Sequence, residues 1–238
     1  MRRFYCWLCV FTVVTILSST LVLSKDSAKA KYTSSSVLPD SAVSVLLDVP
    51  FINQNSEFPT GCEAVSTVMV LNYFGIDITA QKFIDECLEK SENFFYSDGE
   101  LHGPNPNEVF VGNPYSDSGY GCYSGAIINA LNYVEISSAK KINGMDLSEL
   151  CKFTEEGYPV IMWASMDMKP TYKTDSWILD DGDRFVWTSN EHCLVLVGYT
   201  DIYYIFNDPL VGKNVCYEKE TVNLRYQELG MQAIVIYP

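Results

Sequence analysis

The strongest constraint on this chain is the stretch from Cys62 to Phe74. Apolar residues fall at positions 64, 65, 68, 69 and 71, a helical stripe too broad for a helix that buries only one face. The spacing therefore predicts a central helix, and the rest of the chain must be arranged around it. Thr60-Gly61-Cys62-Glu63 stands at its start with the Thr-x-x-Glu spacing of a capping box, which places Cys62 in the first turn, near the second helical position. Free N–H groups and aligned peptide dipoles at that position favour a thiolate, the nucleophilic form of cysteine, while the charge of Glu63 opposes it slightly.

Further helices are predicted near 79–89, 123–133, 146–155 and 220–229. Strands are predicted from residue 43 up to Pro50, then over 158–164, 192–199, 203–207, 215–217 and 232–237. Residues 99–121, rich in Gly, Pro, Asn and Ser, read as one long loop, costly to order unless it has a task. Helices early and antiparallel strands late give an α+β fold, with an N-terminal helical half carrying the Cys62 helix packed on a C-terminal antiparallel sheet.

With 238 residues the chain has room for one domain and a short appendage. Residues 1–24 hold Arg2 and Arg3 followed by an apolar run, the pattern of an export signal that is either cleaved or kept as a membrane anchor. Residues 25–40 form a polar tether, and residues 41–238 form the domain. The expected location is extracytoplasmic, secreted or anchored through the N-terminal segment, with no other membrane contact. Lys and Arg number 16 against 30 Asp and Glu, a formal charge of −14, which repels phosphate backbones and excludes nucleic acid as a partner. Of eight cysteines, six lie beyond the apolar run, and an oxidising compartment would permit disulfides among them.

A nucleophilic cysteine needs a base, and the chain has only two histidines. His102 lies in the Gly/Pro-rich loop and reads as a cleft wall or surface residue. His192 opens a strand whose following turn, near Thr200-Asp201, leads into the run ending Asn207-Asp208-Pro209. In an antiparallel hairpin residue 192 falls across from about residue 209, so Asp208 is placed to orient the imidazole, with Asn207 as the competing orienter. Gln54, eight residues upstream of Cys62, could join the Cys62 N–H as an oxyanion donor. Cys122 also precedes a helix but lacks the Thr/Glu cap. Cys193 is expected on the strand face opposite His192, in the core or paired with another cysteine. A zinc site of Cys and His is not expected, since no Cys-x-x-Cys pair lies beyond the apolar run, and no metal or cofactor is predicted. Trp163, Trp177 and Trp187 read as core or cleft lining.

Several segments together resemble the bacterial C-39-like, papain-like cysteine peptidases, relatives of the bacteriocin-processing peptidases. They are Val49-Pro50-Phe51-Ile52-Asn53-Gln54, Gly61-Cys62-Glu63-Ala64, Gly103-Pro104-Asn105-Pro106, Phe110-Val111-Gly112-Asn113-Pro114 and Gly119-Tyr120-Gly121-Cys122-Tyr123, followed by Glu191-His192, Leu196-Val197-Gly198-Tyr199 and Asn207-Asp208-Pro209. The resemblance runs from about Val49 to the C-terminus. It implies a papain-like fold, with Cys62 as nucleophile, His192 as general base and acid, Asp208 as orienter and Gln54 in the oxyanion hole. The implied activity is hydrolysis of peptide bonds by a monomer. The alternatives are an amidase or transpeptidase acting on cell-wall peptides through the same acyl-enzyme, and a peptide-binding or adhesion module without turnover. Cleavage of double-glycine leaders, the task of transporter-fused relatives, is not expected of an exported domain with no transporter following it.

Overall fold

The computed structural model describes residues 42–54, 57–134, 136 and 138–237. The predicted signal or anchor and the whole of the predicted tether lie outside these residues. Among the described residues no helix is long and apolar enough to cross a membrane.

In chain order the elements are β1 (Val43–Leu46), α1 (Cys62–Tyr73), α2 (Ala80–Glu86), β2 (Lys90–Ser91), β3 (Phe95–Ser97), β4 (Glu100–His102), β5 (Phe110–Val111) and α3 (Ser124–Tyr133). Then come β6 (Ala139–Lys141), α4 (Leu147–Glu155), β7 (Val160–Ser165), a 3-10 turn at Met166–Met168, β8 (Tyr172–Ile178) and β9 (Arg184–Ser189). The chain closes with β10 (Glu191–Thr200), β11 (Tyr203–Asp208), β12 (Gly212–Glu218), α5 (Lys219–Glu228) and β13 (Ala233–Ile236). This is the α+β, papain-like arrangement that the sequence resemblance implies.

The main sheet is antiparallel, in the order β12-β11-β10-β7-β13-β6, with β1 joined to β10. Strand alternation divides its buried side chains between two cores. Cys193, Val195, Val197, Ile161 and Trp163 pack with α1, while Leu194, Leu196, Met162 and Ala164 pack with Leu147 and Leu150 of α4 and Val222 and Tyr226 of α5. Every residue of α1 from Cys62 to Leu71 is buried, as its broad apolar stripe requires.

The region 99–121 departs from the single loop expected of it. It contains β4 and β5, and β4 joins β3, β8 and β9 in a second sheet, ordered β3-β4-β8-β9. These strands were hidden because they are short and lie among turn-forming residues, so no alternation long enough to register a strand develops. Beneath this sheet an aromatic cluster gathers: Trp177 packs on Phe94, Tyr120 and Phe185, and Trp187 stacks on Tyr123 at 5.6 Å. Trp163 and Trp177 are buried, and Trp187 reaches the cleft described below.

Candidate active site

Cys62 is the first residue of α1, and Gly61 caps the helix without a side-chain hydrogen bond. The capping box predicted from Thr60 and Glu63 does not form. The Thr60 hydroxyl donates instead to the carbonyls of Asn113 and Ser116, across the loop that closes over the helix start. The Glu63 carboxylate accepts the Cys122 N–H on Oε1 and the Cys62 thiol on Oε2, the latter at 3.4 Å. Tertiary partners thus take both side chains that a local cap would use. The Cys62 Sγ also accepts the backbone N–H of Cys193 at 3.4 Å. The main chain of Cys193 therefore touches the site although its side chain packs in the α1 core.

The predicted β10–β11 hairpin is present, with Val195 opposite Asn207 and Leu196 opposite Phe206. Stepping two residues along each strand keeps the face, which puts Asp208 on the face of Leu194 and His192. The His192 Nε2 meets Asp208 Oδ1 at 2.8 Å, and both residues are buried. Asp208 further accepts the Leu210 N–H on Oδ1 at 2.9 Å and the Tyr217 hydroxyl on Oδ2 at 2.7 Å. Asn207, the competing orienter, turns the other way: its Nδ2 donates to Val49 O and its Oδ1 accepts the Asn214 N–H. With Nε2 committed to Asp208, Nδ1 is the remaining nitrogen of His192; it is buried and has no hydrogen-bond partner among the described residues.

Cys62, His192 and Gln54 line one cleft of about 330 Å³, walled by Tyr120, Trp187 and Glu191 among others. Gln54 is buried, donates one N–H to Pro59 O at 3.2 Å, and has a second N–H on the same nitrogen. His102 lies outside this lining, stacked on Phe95 at 5.1 Å in the second sheet. Cys122 is buried, its N–H holding Glu63 and its carbonyl accepting the Trp163 indole N–H at 2.9 Å. The six described cysteines, Cys62, Cys87, Cys122, Cys151, Cys193 and Cys216, are all free thiols, so no disulfide joins them.

The electrostatics correct the thiolate expectation. Burial pushes the Cys62 thiol well above its ordinary value, and Glu63 and Glu191 push it further. A helix start contributes only about 0.3–1 kcal/mol in favour of an anion, which burial and two neighbouring carboxyls overcome. Glu63 is itself pushed up to about 7 by burial, and Glu191 is raised well above the usual carboxylate range by burial and by Glu63. Asp208 behaves oppositely. Burial works to raise it, but His192 and the hydrogen bonds from His192, Tyr217 and Leu210 prevail and hold it below its ordinary value. Sequence pattern gave no sign of Glu191 in this cluster, because it comes from β10, at the far end of the chain from α1.

Gly121 makes the convergence of the two carboxyls sterically possible. Its φ is 129°, and a Cβ there would come within 2.6 Å of Glu63 Oε1 and 3.1 Å of Glu191 Oε2. Gly121→Ala is expected to destabilise the fold by roughly 2–4 kcal/mol, combining an unfavourable φ with overpacking. At about 2–4 °C per kcal/mol for a domain of this size, calorimetry should record a melting temperature lowered by about 5–15 °C; an unchanged value would show that the carboxyls separate freely.

The fold corresponds to that of known proteins. The profile of the Peptidase_C39 like family matches residues 46–234. Uncharacterized protein YvpB of Bacillus subtilis (strain 168) is 30% identical over 192 residues, which span 80% of this chain and 75% of YvpB. A crystal structure of a candidate C39-like peptidase from Bacillus anthracis superposes with a TM-score of 0.71 at 35% identity, covering 82% of this chain and 97% of that one.

Proposed function

We propose that this chain, which belongs to the Peptidase_C39 like family, is a cysteine peptidase that works with Cys62, His192, Asp208 and Gln54. The observation carrying this reading is the cleft that Cys62 and His192 share, in which Asp208 holds Nε2 and leaves Nδ1 for the thiol proton. His192 takes that proton as the sulfur adds to the substrate carbonyl carbon. The Cys62 N–H, which lacks an intrahelical acceptor at the first helical position, and the second Gln54 N–H stabilise the oxyanion. The C–N bond then breaks, His192 returns the proton to the leaving amine, and a thioester on Cys62 remains. Water, deprotonated by His192, releases the acid and restores the thiol.

Burial and the neighbouring carboxyls favour the protonated form of Cys62, which gives the imidazole the task of taking the thiol proton for attack. The acidic net charge favours neutral or basic peptides over acidic ones. The N-terminal segment supports an extracytoplasmic location, where extracellular and cell-wall peptides are the available substrates. The full chain incubated with a diverse peptide library and cell-wall fragments should produce internal amide cleavages by mass spectrometry, and alkylation of Cys62 by iodoacetamide should abolish them. An added amine captured in the product would identify acyl transfer to an amine. Peptide binding without any cleavage would overturn the peptidase reading in favour of a binding module.

A further inference from the structure

Two acidic side chains lie against Cys62, and peptide hydrolysis uses neither as an acid or a base. Glu63 is fully buried and Glu191 is 8% exposed. Among the described residues no lysine or arginine forms an ion pair with either. One ligand atom from each of Cys62, Glu63 and Glu191 lies within 4.8 Å of the others. The 3.4 Å separation of Cys62 Sγ from Glu63 Oε2 is close to the S···O edge of a tetrahedral zinc site, about 3.6 Å for Zn–S of ~2.3 Å and Zn–O of ~2.1 Å.

An independent feature points to the same place. Glu191, more than nine-tenths buried, has its Oε1 without a hydrogen-bond partner among the described residues. His192 Nδ1, also buried and unpartnered among the described residues, lies outside the set of ligand atoms that fall within 4.8 Å of one another. His192 and Glu191 line the cleft with Cys62, which supplies a path from solvent.

We propose that Cys62, Glu63 and Glu191 form a three-ligand site, with its fourth position left to water, for a divalent cation of the zinc class that reversibly silences the thiol. Sulfur and carboxylate donors in a small buried space suit Zn²⁺. They exclude Ca²⁺, which wants six to eight oxygens, and Mg²⁺, which wants octahedral oxygens and retained water. As the Zn–S bond forms the S–H bond breaks and its proton passes to solvent. The cation occupies Sγ, the atom that must add to the substrate carbonyl, so cation and substrate exclude each other. Such a site was invisible to cysteine spacing, since two of its three protein ligands are carboxylates and they come from helix α1 and strand β10, far apart in the chain.

The proposal shares with the peptidase reading only a Cys62 thiol reachable from the cleft, and its test needs no turnover. The full chain is titrated with Co²⁺ followed by absorption, then with Zn²⁺ by calorimetry. One Co²⁺ per chain is expected, with a near-ultraviolet thiolate-to-cobalt band that Zn²⁺ displaces, and Cys62→Ser should remove that band. Glu191→Gln, close in shape, and Glu63→Gln as a second variant should each weaken binding by at least about tenfold, with the fold checked by circular dichroism. Three results would overturn the site: no thiolate band, a band that persists in Cys62→Ser, or affinity within twofold in folded carboxyl variants. A chain that cleaves peptides but shows no band overturns only this inference, and one that binds Co²⁺ but cleaves nothing overturns only the peptidase.

Discussion

Cys62→Ala is expected to lower kcat/KM for peptide hydrolysis by at least about a thousandfold, equivalent to ~4 kcal/mol of transition-state stabilisation. The loss is this large because alanine removes the atom that forms the thioester, and neither the oxyanion donors nor His192 can replace it. What remains is the acceleration that binding and the oxyanion hole provide without a nucleophile. The fold should tolerate the change. Cys62 is 6% exposed at the first helical position, and alanine keeps the best helix propensity while removing one buried sulfur. A melting temperature near that of the parent, together with lost activity and lost iodoacetamide labelling, is the expected combination. Undiminished hydrolysis by the variant would remove Cys62 from the mechanism and turn attention to Cys122.

Asp208→Ala should cause the second-largest loss and, unlike Cys62→Ala, should affect stability and activity together. Asp208 accepts from His192 Nε2, the Tyr217 hydroxyl and the Leu210 N–H, and both His192 and Tyr217 are buried. Removing the carboxylate strands these donors at about 1–3 kcal/mol each where no water reaches them, so a loss of roughly 3–5 kcal/mol is expected from denaturant unfolding. Activity should fall by about 10²–10⁴ because the imidazole loses the partner that fixes its orientation and tautomer. The acid limb supplies a separate signature. The Asp208 pKa is lower in the folded state than the ordinary 3.8, so its contribution is present above that value and disappears as pH falls through the folded pKa. The parent should therefore lose stability in that acid range, and Asp208→Ala should lose less over the same interval. Equal acid sensitivity of the two proteins would mean that other carboxylates govern it. Asp208→Asn separates packing from charge: its one amide oxygen can still accept from His192 and Leu210 while its NH2 meets a Tyr217 hydroxyl that turns to accept, so it should recover more stability than activity.

Much of this site was readable before the fold because its parts follow local periods. The apolar stripe after Cys62 repeats with a helix, and the runs on either side of Thr200-Asp201 alternate as paired strands, so hairpin register alone brings Asp208 to His192. The choice between Asp208 and Asn207 needed the face, which the register supplies. The four-stranded sheet of β3, β4, β8 and β9 was not readable. It pairs very short strands from residues 95–102 with β8 and β9, more than 70 residues later, and no local period reports such a pairing.

The start of α1 marks where local reasoning fails. Thr60 and Glu63 have the spacing of a capping box, yet the carbonyls of Asn113 and Ser116 take the hydroxyl, and Cys122 with Cys62 takes the carboxylate. A local hydrogen bond worth about 1 kcal/mol gives way when folding presents buried groups that would otherwise go unsatisfied. By itself the sequence determined which cysteine begins the buried helix and which histidine and aspartate share a hairpin, because those relations depend on spacing along the chain. Only the tertiary structure decided the state of the thiol. Burial and the approach of Glu63 and Glu191 outweigh the helix dipole, and those depend on distances in space between residues far apart in the chain.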